Sequence, residues 1–226
     1  MTVPTHKYSI TLHGLEQSVY TRIARLALEE KRVEYNLQVM DVFTESAERD
    51  AYLGINPFGH IPTLVHDSYT VYETSAITRY IDEAFTGVAL QPKRAQDRAI
   101  MNQVIGIIDS YAYQPMVWGV FVQTVVVPSE GGSCDPKIVL ESLNESAVCL
   151  KALSGLLGTK PFFASDSLSL ADLHVYPVVR YLNLTAEGKT LFQDYPQMVS
   201  WYNTMNNRPS VFNTLNGNNA SISSSD

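Results

Sequence analysis

The sequence has few cysteines, little positive charge and no long apolar run. Its 226 residues include two cysteines and no CxxC motif, which excludes a disulfide framework and indicates a reducing compartment. The longest apolar run, residues 117–127, falls short of the roughly 20 residues of a membrane span. A net charge of -7 disfavours a nucleic-acid partner, and residues 1–14 carry no export signal. We expect a cytoplasmic protein, away from membranes, that acts on a small molecule or another protein.

The character of the chain changes once, which predicts two domains. Strand-like and helical runs alternate in a β-α-β-β-β-α order over residues 7–85. Gly and Pro punctuate a linker at residues 86–95, and nearly all later periodicity is helical. We therefore predict an α/β domain over residues 1–85, an all-α domain over residues 96–215 and a disordered polar tail over residues 216–226.

Helix boundary signals are clear in the second half of the chain. Ser169 and Asp172 have the spacing of a capping box, with Asp in place of the usual Glu. Pro196 stands at a predicted helix start and Pro209 just after its end. These signals predict one helix from about Ser169 and another between the two prolines.

A proline interrupts the strand-like run at Ile61-Pro62-Thr63. Proline has no N–H for a strand ladder, so its place needs another reason. A cis X–Pro bond would turn the N–H and C=O of Ile61 toward an extended peptide ligand at a sheet edge. We predict a cis Ile61–Pro62 bond that presents the Ile61 backbone to such a ligand.

Five motifs over residues 7–215 together resemble the cytosolic glutathione S-transferases, most closely the serine-type phi class. They are "LHG...SVYTRIARLALEEK", "NPFGHIPTL", "YETSAITRYI", "SLADLHVYP" and "YPQMVSWYNTMNNRPS". The resemblance implies a thioredoxin-like N-terminal domain followed by a helical-bundle domain. It also implies a homodimer in which Phe58 is a hook into the partner subunit. The co-substrates that it implies are glutathione and hydrophobic electrophiles.

Ser18 stands at the head of the first predicted helix, where backbone N–H groups lack helical partners. Only the thiolate of a thiol is a good nucleophile, so a thiol transferase must stabilise negative sulfur. The resemblance makes Ser18 the hydrogen-bond donor to that thiolate. The residues alone leave a second interpretation open, a plain N-cap serine.

The resemblance also assigns the glutathione-binding residues. Glu73 would pair with the γ-glutamyl ammonium, and Thr74 with its helix N-terminus would take the γ-glutamyl carboxylate. Glu73 and Thr74 could also be a helix-capping pair, and both interpretations could hold together. The cysteinyl backbone would contact Ile61 and Pro62.

The chain departs from the phi pattern at the other end of the tripeptide. Family members usually carry Gln at position 60 and His-Lys at positions 47 and 48, where this chain has His60 and Ala47-Glu48. Glu48 would repel the glycine carboxylate. His60 and Arg49 are the candidates to bind that carboxylate instead.

The electrophile site is expected among apolar and aromatic side chains, which suit an adaptable pocket. By resemblance it includes Leu15 and Glu16 on one loop and Tyr113, Val117 and Phe121 in a helical stretch. Helix core is an equally good interpretation for any one of the three helical residues.

Two further functions stay open from the sequence. A non-catalytic protein of the same fold, binding hydrophobic ligands or docking in an assembly, would explain the altered residues 47 and 48. A glutathione peroxidase activity would use the same thiolate. We expect no metal site, since no histidine has ligand-like spacing to Cys or carboxylates. Cysteine-type relatives form mixed disulfides with glutathione through a thiol at the position of Ser18. The serine here disfavours that chemistry.

Overall fold

The computed structural model describes residues 9–216, which fold as two compact units. The first unit consists of the described residues up to Val88 together with those from Pro209 onward, and the second is Ala89–Arg208. The predicted second domain ended at residue 215, whereas the last helix (Pro209–Asn216) packs on the first helix of the first unit. Of the predicted disordered tail, only Asn216 lies within the described residues.

A four-stranded sheet with helices forms the first unit. Its elements are β1 (Ile10–Gly14), α1 (Val19–Lys31), β2 (Asn36–Val39), α2 (Ala47–Tyr52), β3 (Thr63–His66), β4 (Tyr69–Tyr72) and α3 (Thr74–Ala84). The strand order is β2-β1-β3-β4, with β1 parallel to β2 and antiparallel to β3, and β3 antiparallel to β4. The predicted β-α-β-β-β-α order is confirmed, and the short helix α2 is an addition to it.

Apolar side chains from the central strands and from α1 and α3 form the core of this unit. Leu12 and Leu64 on neighbouring strands and Ile23, Ile77 and Ile81 on the helices have no exposed surface. Each such side chain contributes about 1.5–3 kcal/mol on burial. The core therefore holds the end of β1 and the start of α1 in a fixed relation, which matters for Ser18 in the connecting turn.

The second unit is helical, and the predicted combination of an α/β domain with an all-α domain is confirmed. Its elements are α4 (Ala95–Ile107), π-helical segments at Ile108–Ala112 and Gln114–Val126, α5 (Val127–Ser129), α6 (Pro136–Leu157), α7 (Leu170–Asn183), α8 (Ala186–Gln193) and α9 (Pro196–Asn206). The remaining helix, α10 (Pro209–Asn216), returns to the first unit.

The predicted helix boundaries in the second half are confirmed. Ser169 is the N-cap of α7, and its side chain and that of Asp172 form the reciprocal bonds of a capping box. Pro196 occupies the first position of α9. Pro209 follows α9 and itself begins α10, which the sequence did not predict as a separate helix.

Candidate functional site

Ser18 caps α1 and keeps its hydroxyl proton for another partner. Its backbone is extended (φ -67°, ψ 129°), and its side-chain oxygen accepts from the Thr21 N–H at 3.3 Å. A serine hydroxyl can accept in this way and still donate its own proton. The side chain is partly exposed. The cap role and the donor role are thus compatible in one residue.

The turn before α1 is held by a close approach that only glycine permits. A Cβ on Gly14, the last residue of β1, would overlap the side chain of Thr21, with Thr21 Cγ2 at 2.7 Å. The Ser18 N–H donates to the Leu15 carbonyl at 3.0 Å. Gly14 therefore lets the end of β1 pack against the first turn of α1, which fixes the position of Ser18. Sequence reasoning assigned no role to Gly14 or Thr21.

The predicted cis Ile61–Pro62 bond is confirmed. Pro62 is buried, Ile61 is partly exposed and the His60 side chain is exposed. The His60 carbonyl accepts two hydrogen bonds, from the Tyr52 hydroxyl at 2.6 Å and from Asn56 Nδ2 at 2.7 Å. The segment before the proline is therefore anchored through its backbone while its side chains face outward.

Glu73 has an unusual backbone conformation at the start of α3. Its φ is 68° and its ψ 115°, a left-handed region that costs a non-glycine residue about 1–3 kcal/mol. Its side chain makes no capping hydrogen bond and is exposed, while Thr74 is buried. The capping-pair interpretation fails for the Glu73 side chain, whose carboxylate is presented to solvent.

The candidates for the glycine end lie on α2 and the loop after it. Arg49 Nε donates to the Val42 carbonyl at 3.1 Å, so part of the guanidinium is engaged in holding its own loop. Glu48 is exposed, and hydrogen bonds from its own backbone N–H and the Ser46 hydroxyl lower the pKa of its carboxyl. An exposed carboxylate at Glu48 therefore stands next to Arg49 in the sequence.

The predicted electrophile residues fall on both units. Leu15 is partly buried and Glu16 exposed in the turn between β1 and α1 of the first unit. In the second unit, burial raises the pKa of Tyr113, whose hydroxyl accepts from Trp118 Nε1 at 3.0 Å.

Two other predicted pocket residues contact the helical core. Phe121 is partly exposed and packs edge-on against Tyr181, with ring centroids 4.5 Å apart. Val117 is only 6% exposed, which favours the helix-core interpretation for that residue.

Sequence reasoning missed the polar residues behind the cis-proline segment. Tyr52, Asn56 and Thr63 are all buried and bonded to one another or to His60. The only sequence signal was Asn56 in "NPFG", since α2 itself was not predicted.

Within residues 9–216 no helix is long and apolar enough to cross a membrane. In the same range, no three His, Cys, Asp or Glu side chains are placed to hold a metal ion.

Comparison with known proteins identifies the family. The glutathione S-transferase N-terminal domain model matches residues 17–84, and the C-terminal domain model matches residues 114–209. Glutathione S-transferase F14 of Arabidopsis thaliana is 30% identical over 197 residues, covering 85% of this chain and 77% of that protein. Glutathione S-transferase F13 of the same plant is 29% identical over 211 residues, 92% of this chain and 96% of the relative.

Solved structures agree with the sequence relatives. The crystal structure of glutathione transferase F7 from Populus trichocarpa superposes with a TM-score of 0.80 at 28% identity, covering 92% of this chain and 100% of that one. A structure of glutathione S-transferase-I bound with lactoylglutathione gives a TM-score of 0.80 at 27% identity, covering 92% and 98%. The chain belongs to the glutathione S-transferase family and is phi-class-like.

Proposed function

We propose that this protein adds the thiolate of glutathione to hydrophobic electrophiles, with Ser18 as the residue that stabilises the thiolate. The observation that carries the proposal is the partly exposed Ser18 hydroxyl at the N-terminus of α1, which has a proton left to donate. The positive end of the helix dipole favours negative charge at the same place.

The chemistry needs one ionisation and one attack. The hydrogen bond from Ser18 and the field of α1 lower the pKa of the glutathione thiol, whose proton passes to solvent. The thiolate forms a carbon–sulfur bond to the electrophile, and the electron pair leaves with the departing group or moves onto the acceptor. Ser18 keeps its proton throughout, so it acts as a donor and never as a nucleophile.

Binding of the tripeptide would use polar groups of the first unit. The exposed Glu73 carboxylate would pair with the γ-glutamyl ammonium, and Thr74 with the first turn of α3 would take the neighbouring carboxylate. The backbone of Ile61 would pair with the cysteinyl residue, next to Pro62. Arg49 and His60 are proposed for the glycine carboxylate.

Glutathione binding by calorimetry tests this assignment. We expect saturable binding by the wild type and about tenfold or greater weakening in Glu73→Gln, because a charge-assisted bond worth about 1.5–3 kcal/mol is lost. Glu83→Gln, an exposed glutamate on the same helix, makes the same charge change and should bind as the wild type does. Equal affinity of both variants would remove Glu73 from the site.

The second candidate is a non-catalytic protein that binds hydrophobic ligands or docks in an assembly. The exposed, ionised Glu48 beside Arg49 favours it, since a carboxylate there opposes a ligand carboxylate. A wild type that shows no binding at millimolar glutathione would make this candidate the leading one. If glutathione does bind, the same thiolate could also reduce organic hydroperoxides, and a hydroperoxide assay tests for this additional activity.

We further propose that the protein is a cytoplasmic homodimer. Both cysteines are free thiols, as expected in a reducing compartment. Phe58 is 64% exposed and contacts the Tyr72 ring edge-on at 5.9 Å, so it is a large apolar side chain held at the surface. Such a side chain suits insertion into a partner subunit.

Light scattering tests the dimer. We expect the mass of two chains for the wild type and a shift toward monomer for Phe58→Ala, because the apolar anchor is lost. Phe212→Ala is the matched control: Phe212 is 66% exposed on α10 of the same unit, and its removal should leave the dimer intact. A monomeric wild type, or a Phe58→Ala dimer as tight as the control, would contradict the proposal.

A further inference from the structure

We propose that Tyr52, Asn56 and Thr63 form a positioning cluster that sets the affinity for glutathione by fixing the His60–Ile61 peptide. The inference rests on the proposed function, in which the Ile61 backbone pairs with the thiol peptide. None of the three side chains would touch glutathione. Their effect would pass through the carbonyl of His60.

The positioning cluster is closed and buried. Tyr52, Asn56 and Thr63 are 2%, 1% and 0% exposed. Tyr52 Oη lies 2.6 Å from the His60 carbonyl and 2.7 Å from Thr63 Oγ1. Asn56 Nδ2 lies 2.7 Å from the same carbonyl and 3.2 Å from Thr63 Oγ1.

Only one arrangement of protons satisfies these contacts. The His60 carbonyl can only accept, so the Tyr52 hydroxyl must donate its single proton to it. Thr63 must then donate to the Tyr52 oxygen. The two amide protons of Asn56 go to the His60 carbonyl and to Thr63. Its Oδ1 accepts from the Phe58 N–H at 3.1 Å. Every donor has an acceptor, which makes the cluster rigid in its buried surroundings.

Peptide geometry carries this rigidity to Ile61. The peptide between His60 and Ile61 is trans, and in a planar trans peptide the N–H points opposite to the C=O. A His60 carbonyl directed into the buried cluster therefore directs the Ile61 N–H away from it. Among the described residues no hydrogen-bond partner of that N–H is found. The cluster thus presents an oriented donor to an incoming peptide backbone.

The proximity of α2 and β3 explains why these three residues act together. Tyr52 is the last residue of α2 and Thr63 the first of β3, with Asn56 in the turn between them. His13 on β1 lies beside Tyr52, with the two ring centroids 5.9 Å apart. The cluster links the sheet, α2 and the cis-proline segment at a single carbonyl.

Steady-state kinetics with glutathione and a chlorodinitrobenzene test the inference. Tyr52→Phe keeps the ring but removes the donor to His60, and we expect the KM for glutathione to rise about fivefold or more, the equivalent of one lost hydrogen bond. The kcat and the KM for the electrophile should stay within about twofold, because neither depends on the Ile61 donor. Thr63→Val keeps both donors to the His60 carbonyl but removes the hydroxyl bonded to them, so it should raise the KM for glutathione in the same direction. Thr63→Ser keeps that hydroxyl and should have the wild-type KM.

A purely structural role would give a different result. Tyr35→Phe is the matched control, since the Tyr35 hydroxyl accepts from Arg25 Nε at 3.0 Å in the same unit, away from His60. It should lower the melting temperature without changing the KM for glutathione. If Tyr52→Phe and Thr63→Val behave like Tyr35→Phe, this inference is overturned and the proposed function still stands. A wild type that binds no glutathione would overturn the proposed function, and this inference with it.

Discussion

Ser18→Ala should lower the kcat for glutathione conjugation by roughly one to three orders of magnitude, the range seen when one preorganised donor to a developing anion is removed. Glutathione binding should largely survive, because the peptide is held by Glu73, Thr74 and the Ile61 backbone in the proposed site. The loss should shrink as the pH rises, since without the donor the bound thiol has a higher pKa and ionises only at higher pH. The pH profile of kcat measures both effects.

Two controls separate the donor role of Ser18 from its cap role. Ser18→Thr keeps a hydroxyl and should retain most of the activity. Thr185 is the N-cap of α8, and its side chain accepts from the Gly188 N–H at 3.0 Å. Thr185→Ala should cost about 1 kcal/mol of stability without changing kcat. If Ser18→Ala loses stability like Thr185→Ala but turns over like the wild type, Ser18 is only a cap.

The elements that the sequence predicted correctly are those with local chemical signals. The capping box at Ser169 and Asp172 needs only two residues three positions apart, and proline itself marks the cis bond at Pro62. The strand runs alternate in hydrophobicity, which is a property of the chain before it folds. The resemblance to a family added the roles proposed for Ser18 and Glu73, which no local pattern distinguishes from capping and which stay predictions.

The features that the sequence missed depend on contacts between distant parts of the chain. Helix α2 has 6 residues, too few to show a helical period. Without it, nothing places Tyr52 against Thr63, 11 positions away. The sequence did not predict the left-handed backbone of Glu73 either, because glycine is the residue that usually adopts this conformation. Positioning residues behind a site are therefore visible only once the fold is known.

Asp172→Ala should destabilise the second unit by about 3–5 kcal/mol, the largest stability effect we expect in the protein. Asp172 has no exposed surface, and its carboxylate accepts four hydrogen bonds. Oδ1 accepts from the Phe163 N–H at 3.0 Å and Trp201 Nε1 at 2.9 Å, and Oδ2 from the Ser169 N–H and hydroxyl, both at 2.8 Å. Alanine would leave buried donors on three segments of the chain without an acceptor. Each unsatisfied donor costs about 1–3 kcal/mol.

Urea unfolding followed by tryptophan fluorescence measures this loss, because Trp201 is itself one of the donors. Burial raises the pKa of Asp172 while the four donors act in the opposite direction, so the neutral Asp172→Asn tests how much of the effect needs the charge. Asn keeps one acceptor oxygen and should recover part of the lost stability. Asp166 is an exposed aspartate in the segment before α7, and Asp166→Ala should change stability by less than about 0.5 kcal/mol. An Asp172→Ala variant as stable as Asp166→Ala would show that the buried carboxylate adds no stability, and that apolar packing alone holds α9 to α7.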